Sequence, residues 1–81
     1  MKVEVKLFAV AKQIANAESV AVELADRATV GQLRDALVAQ FPGLAPVMSH
    51  IAVAVNAQYS ADDVILTADS EVACIPPVSG G

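Results

Sequence analysis

Tryptophan is absent, and tyrosine and cysteine each occur once, so Phe8, Phe41 and Tyr59 supply all the aromatic bulk. With a hydrophobic content of 56%, the core must then be built from Val, Leu, Ile and Ala. Such a core is small, and the expected stability lies near the lower end of the usual range of about 5–15 kcal/mol. The single cysteine, Cys74, excludes an intrachain disulfide and offers no CxxC spacing, which suits a reducing compartment. Glycine is scarce as well. Gly31, Gly43, Gly80 and Gly81 make neither a GxxxxGK[ST] nor a GxGxxG loop, so the chain has no phosphate cradle of its own. Five basic residues against nine acidic ones leave a net charge of -4, which argues against nucleic acid and anionic lipid as partners. His50 has no neighbours at metal-ligand spacing, and Asp62-Asp63 lacks the alternating oxygens and glycine of a calcium loop; no metal site is expected, and Asp62-Asp63 reads as a solvated turn. No run of about 18 uncharged apolar residues occurs, and the N-terminal residues alternate charged with apolar, so neither a membrane span nor a signal peptide is expected and the cytoplasm is the expected location.

What is present is patterned. Across "KVEVKLFA", Val3, Val5 and Leu7 share one face while Lys2, Glu4 and Lys6 share the other, as in a half-buried strand. The outward series then reaches Phe8, an aromatic where alternation calls for charge, which hints at docking; packing at the edge of the core is the alternative. "ESVAVEL" repeats the strand pattern, and a hairpin with a loose connection is expected between the two. Thr29-x-x-Gln32 is a capping box. Val30, Leu33, Leu37 and Phe41 follow at helical spacing, with Arg34, Asp35 and Gln40 opposite, until Pro42 and Gly43 close a helix over residues 30–40. "IAVAVN" is apolar on both faces, with Ala52 and Ala54 keeping one face thin, as in a strand buried mid-sheet. A turn at Asn56-Ala57-Gln58, a short segment at Tyr59 and a last strand at Glu71–Ile75 complete an α+β plan, a mixed sheet of four to five strands with one main helix on one face.

The tail "PPVSGG" divides the chain into a domain at residues 1–75 and an extended segment at 76–81. Pro76 and Pro77 fix consecutive φ angles without donating amides, so they end the last strand and project Val78, Ser79, Gly80 and Gly81 as a semi-rigid spacer. Two terminal glycines let the carboxylate enter a slot too narrow for a side chain, in the active site of another protein. A free carboxylate is a poor acyl donor and must be activated, and with no phosphate loop in this chain the ATP-dependent step falls to a partner. Cys74, one residue before Ile75 in an apolar strand, reads as a small buried hydrophobe rather than a nucleophile.

The terminal "EVACIPPVSGG", the "LFA" of the first strand, the "TVGQL" helix start and the "AVN" of the middle strand resemble the small, sulfur-carrier subunit of molybdopterin synthase over essentially the whole chain. The resemblance implies a ubiquitin-like β-grasp fold. It also implies that Gly81 is adenylated by an E1-like adenylyltransferase using ATP and thiocarboxylated by a sulfur donor protein, the carrier itself binding no cofactor. The carrier would then dock on the large synthase subunit, in an assembly of two small and two large chains, and donate sulfur to cyclic pyranopterin monophosphate to build the molybdopterin dithiolene. Catalytic groups would lie on the large subunit. Tyr59 and Ile75 would join Phe8 on the partner-facing surface, again with edge-of-core packing as the alternative. Two departures stand out. Asp69 occupies a turn position where the family tends to have glycine, which calls for a positive φ that Asp tolerates. A basic segment after the first strand is reduced to Ala9-Val10-Ala11-Lys12-Gln13. Three alternatives stay open: a sulfur carrier for thiamine synthesis, a ubiquitin-like modifier conjugated to lysines, and a plain interaction domain with an inert tail.

Overall fold

A computed structural model describes residues 1–76. The expectations that fall on Pro77, Val78, Ser79, Gly80 and Gly81 lie outside the described residues. In chain order the elements are β1 (Lys2–Leu7), α1 (Ala9–Ala15), β2 (Ser19–Glu23), α2 (Val30–Gln40), a 3-10 turn (Pro42–Leu44), α3 (Ala45–Met48), β3 (Ala52–Val55), β4 (Gln58–Tyr59) and β5 (Val72–Ile75).

The strands form one five-stranded mixed sheet in the order β2-β1-β5-β3-β4. β1 pairs antiparallel with β2, β5 lies parallel to β1, and β3 pairs antiparallel with both β5 and β4. The period-two pattern of β1 is realised residue by residue: Val3, Val5 and Leu7 are buried while Lys2, Glu4 and Lys6 are exposed. The register sets Leu7 against Cys74 and Val53 against Cys74 on one face, and Lys6 against Ala73 and Ala54 against Ala73 on the other.

Helix α2 covers the first of these faces. Its capping box is complete, with Thr29 Oγ1 accepting from the Gln32 amide at 3.2 Å and Gln32 Oε1 accepting from the Thr29 amide at 2.9 Å. Val30, Leu33 and Leu37 reach full burial against the sheet, joined by Leu44 and Leu66. All the fully buried large side chains are aliphatic or Cys74, as the scarcity of aromatics demands. Each of the leucines removed from water contributes about 1.5–3 kcal/mol.

The structure differs from the sequence reading at four places. Residues 42–48, where only the close of the main helix is expected, form the 3-10 turn and the short helix α3. The connection between β1 and β2 is no loose hairpin: it contains α1, which buries only Ala11 and closes on Asn16 in the left-handed conformation at φ 55°. Asp69 does not adopt a positive φ. The turn before β5 is held instead by Ser70, whose amide donates to the Thr67 carbonyl at 3.0 Å and whose Oγ accepts from the Thr67 amide at 3.0 Å, so it has no need of glycine. Arg34 does not face open water; its side chain is 19% exposed. Its Nη1 donates to the carbonyls of Met48 at 2.8 Å and Ile51 at 2.7 Å, and its Nε to Asp62 Oδ1 at 2.8 Å, tying α2 to the α3–β3 connection and to the 61–64 turn.

Candidate functional site

The second face of the sheet carries no helix. Its central row runs Lys6, Ala73, Ala54 and Tyr59 across four strands, and the next row sets Ile75 against Ala52. Alanines at the middle of a sheet leave a depression, and larger side chains at its borders make walls. The result is an open groove of about 580 Å³, floored by Ala54 and Ala73 and walled by Phe8, Tyr59 and Ile75.

Phe8 is brought there by continuing the extended backbone of β1, with φ -128° and ψ 153°, before the chain turns abruptly at Ala9 with φ 50°. It is 47% exposed, and Tyr59, on the edge strand β4, is 71% exposed. Tyr59 presents most of its surface to solvent and Phe8 nearly half, more than packing at the edge of the core would leave. Ile75 is half-buried at the end of β5. The three residues singled out in the sequence therefore line a single groove, and Ala57, which the sequence reading took only as part of a turn, lines it too. Glu4, Lys6 and Glu71 add charge of both signs at its margin.

β5 ends at Ile75, and because β5 runs parallel to β1, the chain leaves the sheet at the same end as Phe8. Pro76, the last described residue, is half-buried at that exit. The base of the tail thus stands beside the groove.

The other candidates are not in this site. Cys74 points to the helix-covered face, 1% exposed, and burial pushes its thiol up to about 11 despite the opposing influence of the Arg34 guanidinium. A thiol held neutral in this way is neither a nucleophile nor a ready metal ligand at neutral pH. His50 is exposed after α3, and Asp63 is exposed in the 61–64 turn, where Asp62 binds Arg34. Among the described residues no three His, Cys, Asp or Glu side chains are grouped to hold a metal ion, and no helix is long and apolar enough to cross a membrane. A second, more polar groove beside α2 contains Thr29, Gln32 and Arg34. The helix N-terminus there is already satisfied: the amides of Val30 and Gly31 donate to the carbonyls of Val64 and Asp62, each at 2.9 Å, and the Gln32 amide donates to Thr29.

Known proteins share this sequence pattern and this fold. The ThiS family matches residues 5–81. The molybdopterin synthase sulfur carrier subunit of Arabidopsis thaliana is 33% identical over 81 residues, spanning 100% of this chain and 84% of that protein. The carrier subunit of the same name from Chlamydomonas reinhardtii is 35% identical over 83 residues, with 100% of each chain covered. The crystal structure of small archaeal modifier protein 1 from Haloferax volcanii has a TM-score of 0.87 to this fold at 37% identity, covering 100% of both chains. The mixed sheet crossed by one main helix is the ubiquitin-like β-grasp, and on fold and sequence together the chain belongs to the ThiS family.

Proposed function

We propose that this protein is the sulfur-carrier subunit of a molybdopterin synthase, with the carboxyl group of Gly81 as the group that carries sulfur. The observation that carries the proposal is the adjacency of the apolar groove and the exit of the chain from β5. A partner that grips Phe8, Tyr59 and Ile75 holds the body at the base of the tail, and six extended residues reach at most about 20 Å from there. The domain at residues 1–75 is the handle, and residues 76–81 are the arm.

The chemistry divides between partners. An E1-like enzyme joins the Gly81 carboxylate to the α-phosphate of ATP, releasing pyrophosphate and leaving an acyl adenylate. The terminal sulfur of a donor persulfide then attacks the acyl carbon and AMP departs, leaving an acyl disulfide; a thiol reductant cleaves its S–S bond, which frees the donor and leaves the terminus as a thiocarboxylate. On the large synthase subunit this sulfur bonds to a carbon of the cyclic pyranopterin monophosphate precursor as an oxygen substituent leaves, and water then cleaves the acyl carbon–sulfur bond, so the sulfur stays on the product and the Gly81 carboxylate is restored. A narrow entry channel that excludes water protects both acyl states, and only glycine leaves room for the chain in it.

The test is intact-mass measurement after incubation with the E1-like enzyme, ATP and a sulfur source. A gain of about 16 Da, sulfur replacing oxygen, is expected for the full chain and none for a chain lacking Gly81. Sulfur transfer by the truncated chain at the full rate would refute the assignment. Similarity to small archaeal modifier protein 1 favours a second reading, a modifier attached to lysines of other proteins. It predicts a ladder of adducts in cells that disappears with Gly81.

A further inference from the structure

We infer that the methyl group of Ala57 is a partner-contacting group of the groove, present there at a cost to the fold. The inference rests on the proposed docking of the large subunit and names a determinant of its fit. Asn56 and Ala57 form the two-residue loop between the paired positions Val55 and Gln58, both with positive φ, at 52° and 67°. Two positive φ angles in such a loop are the signature of a type I′ turn, for which Asn-Gly is the favoured pair. Asn at the first position obeys the rule; alanine at the second breaks it. The left-handed region strains any residue with a Cβ, and alanine has no polar side chain with which to compensate.

The rest of the loop is built to hold that conformation. The Asn56 amide donates to the Glu71 carbonyl at 2.8 Å, and Asn56 Oδ1 accepts from the Glu71 amide at 2.9 Å, clamping the turn to the start of β5. Local departures from the best residue concentrate where a surface has a second job. Among the described residues, the other non-glycine ones with positive φ are Ala9, Asn16, Arg27 and Asn56. The two asparagines suit the conformation. Ala9 directly follows the wall residue Phe8, and Ala57 itself lines the groove two residues before Tyr59. Both strained alanines therefore stand at the groove, and only the Ala57 side chain contributes to its surface. A methyl at this point narrows the end of the groove beside Tyr59 and selects an apolar side chain that packs against it.

The experiment is calorimetric titration of the full chain with the large molybdopterin synthase subunit, alongside thermal unfolding. Ala57→Gly is expected to raise Tm by about 2–6 °C, because strain is relieved, and to weaken binding about fourfold, the equivalent of one methyl lost from an interface. Ala57→Asn, which tolerates the left-handed region but overfills the groove, is expected to keep Tm near the wild-type value and weaken binding more than about tenfold. Arg27→Gly relieves the same kind of strain away from the groove and is expected to raise Tm with binding unchanged. If both Ala57 variants bind within about twofold of wild type while Tyr59→Ala weakens binding, the inference fails and the docking proposal stands. If the wild-type chain does not bind the large subunit, both fail.

Discussion

Replacing Arg34 with alanine is expected to cost about 3–4 kcal/mol, and the figure follows from what the side chain holds. One guanidinium nitrogen serves the carbonyls of Met48 and Ile51 at 2.8 and 2.7 Å, in a position where the side chain is 19% exposed. Hydrogen bonds from a charged donor contribute about 1.5–3 kcal/mol each when shielded; partial solvent access places the pair near 3 kcal/mol. The ion pair with Asp62, whose side chain is 66% exposed, adds at most about 1 kcal/mol. Against a total stability near the lower end of about 5–15 kcal/mol, the loss removes a large fraction of the folded state's margin. Arg34→Lys keeps the charge but offers a compact ammonium in place of a fork, and about half the loss is expected. Asp62→Ala is expected to cost no more than about 1 kcal/mol. Urea unfolding followed by far-ultraviolet circular dichroism measures all three, since the midpoint shifts while the slope stays constant. With a slope near 1 kcal/mol/M, typical of a chain this short, the Arg34→Ala midpoint falls by about 3 M. A loss below about 1 kcal/mol for Arg34→Ala, or an equal loss for Asp62→Ala, would refute the reasoning, because either result assigns the contribution to the exposed ion pair and not to the carbonyls.

Two further outcomes are expected. The Cys74 thiol is held neutral in the fold up to about 11, whereas its ordinary value is 9.0. Its contribution is therefore fully present below pH 9 and lost as pH rises toward about 11, where the unfolded chain has already released the proton. The wild-type midpoint in urea should fall more steeply than that of Cys74→Ala over this window, by an amount approaching about 2–3 kcal/mol; parallel slopes would count against the assignment. Thr29→Ala breaks the capping box of α2 and should lower stability by about 1 kcal/mol in thermal unfolding, with no change in affinity at the groove on the other face of the sheet.

The elements legible in the sequence are those whose signals are local. Helix α2 begins and ends where Thr29, Gln32 and Pro42 say it must, because caps and prolines act within one turn. The strands follow from alternation, and the apolar run of β3 follows from its place inside the sheet. Helix α1 escaped because every such signal is missing: Phe8 makes no side-chain cap, Ala9 starts with a positive φ, and Ala11 alone is buried, so no stripe appears. Arg34 escaped for a different reason. Its partners are backbone carbonyls at Met48 and Ile51, and no residue type marks a carbonyl that needs a donor. At the groove, Phe8 betrayed itself by interrupting a charged series. The thin face at Ala54 is legible in the run IAVAVN, but its pairing with Ala73 into a floor required the register of β3 on β5, which only the fold supplies.

The placement of β5 bears on how the groove is held together. In the sheet order β2-β1-β5-β3-β4, the ribbon of β1 with β2 and the ribbon of β3 with β4 share no ladder except through residues 72–75. The strand that joins them is also the strand from which the tail departs. Phe8 follows the strand of one ribbon and Tyr59 belongs to the other, so without β5 the two walls of the groove have no ladder to hold them side by side. Closure of the sheet, formation of the groove and placement of the chain's exit beside it all depend on the same four residues.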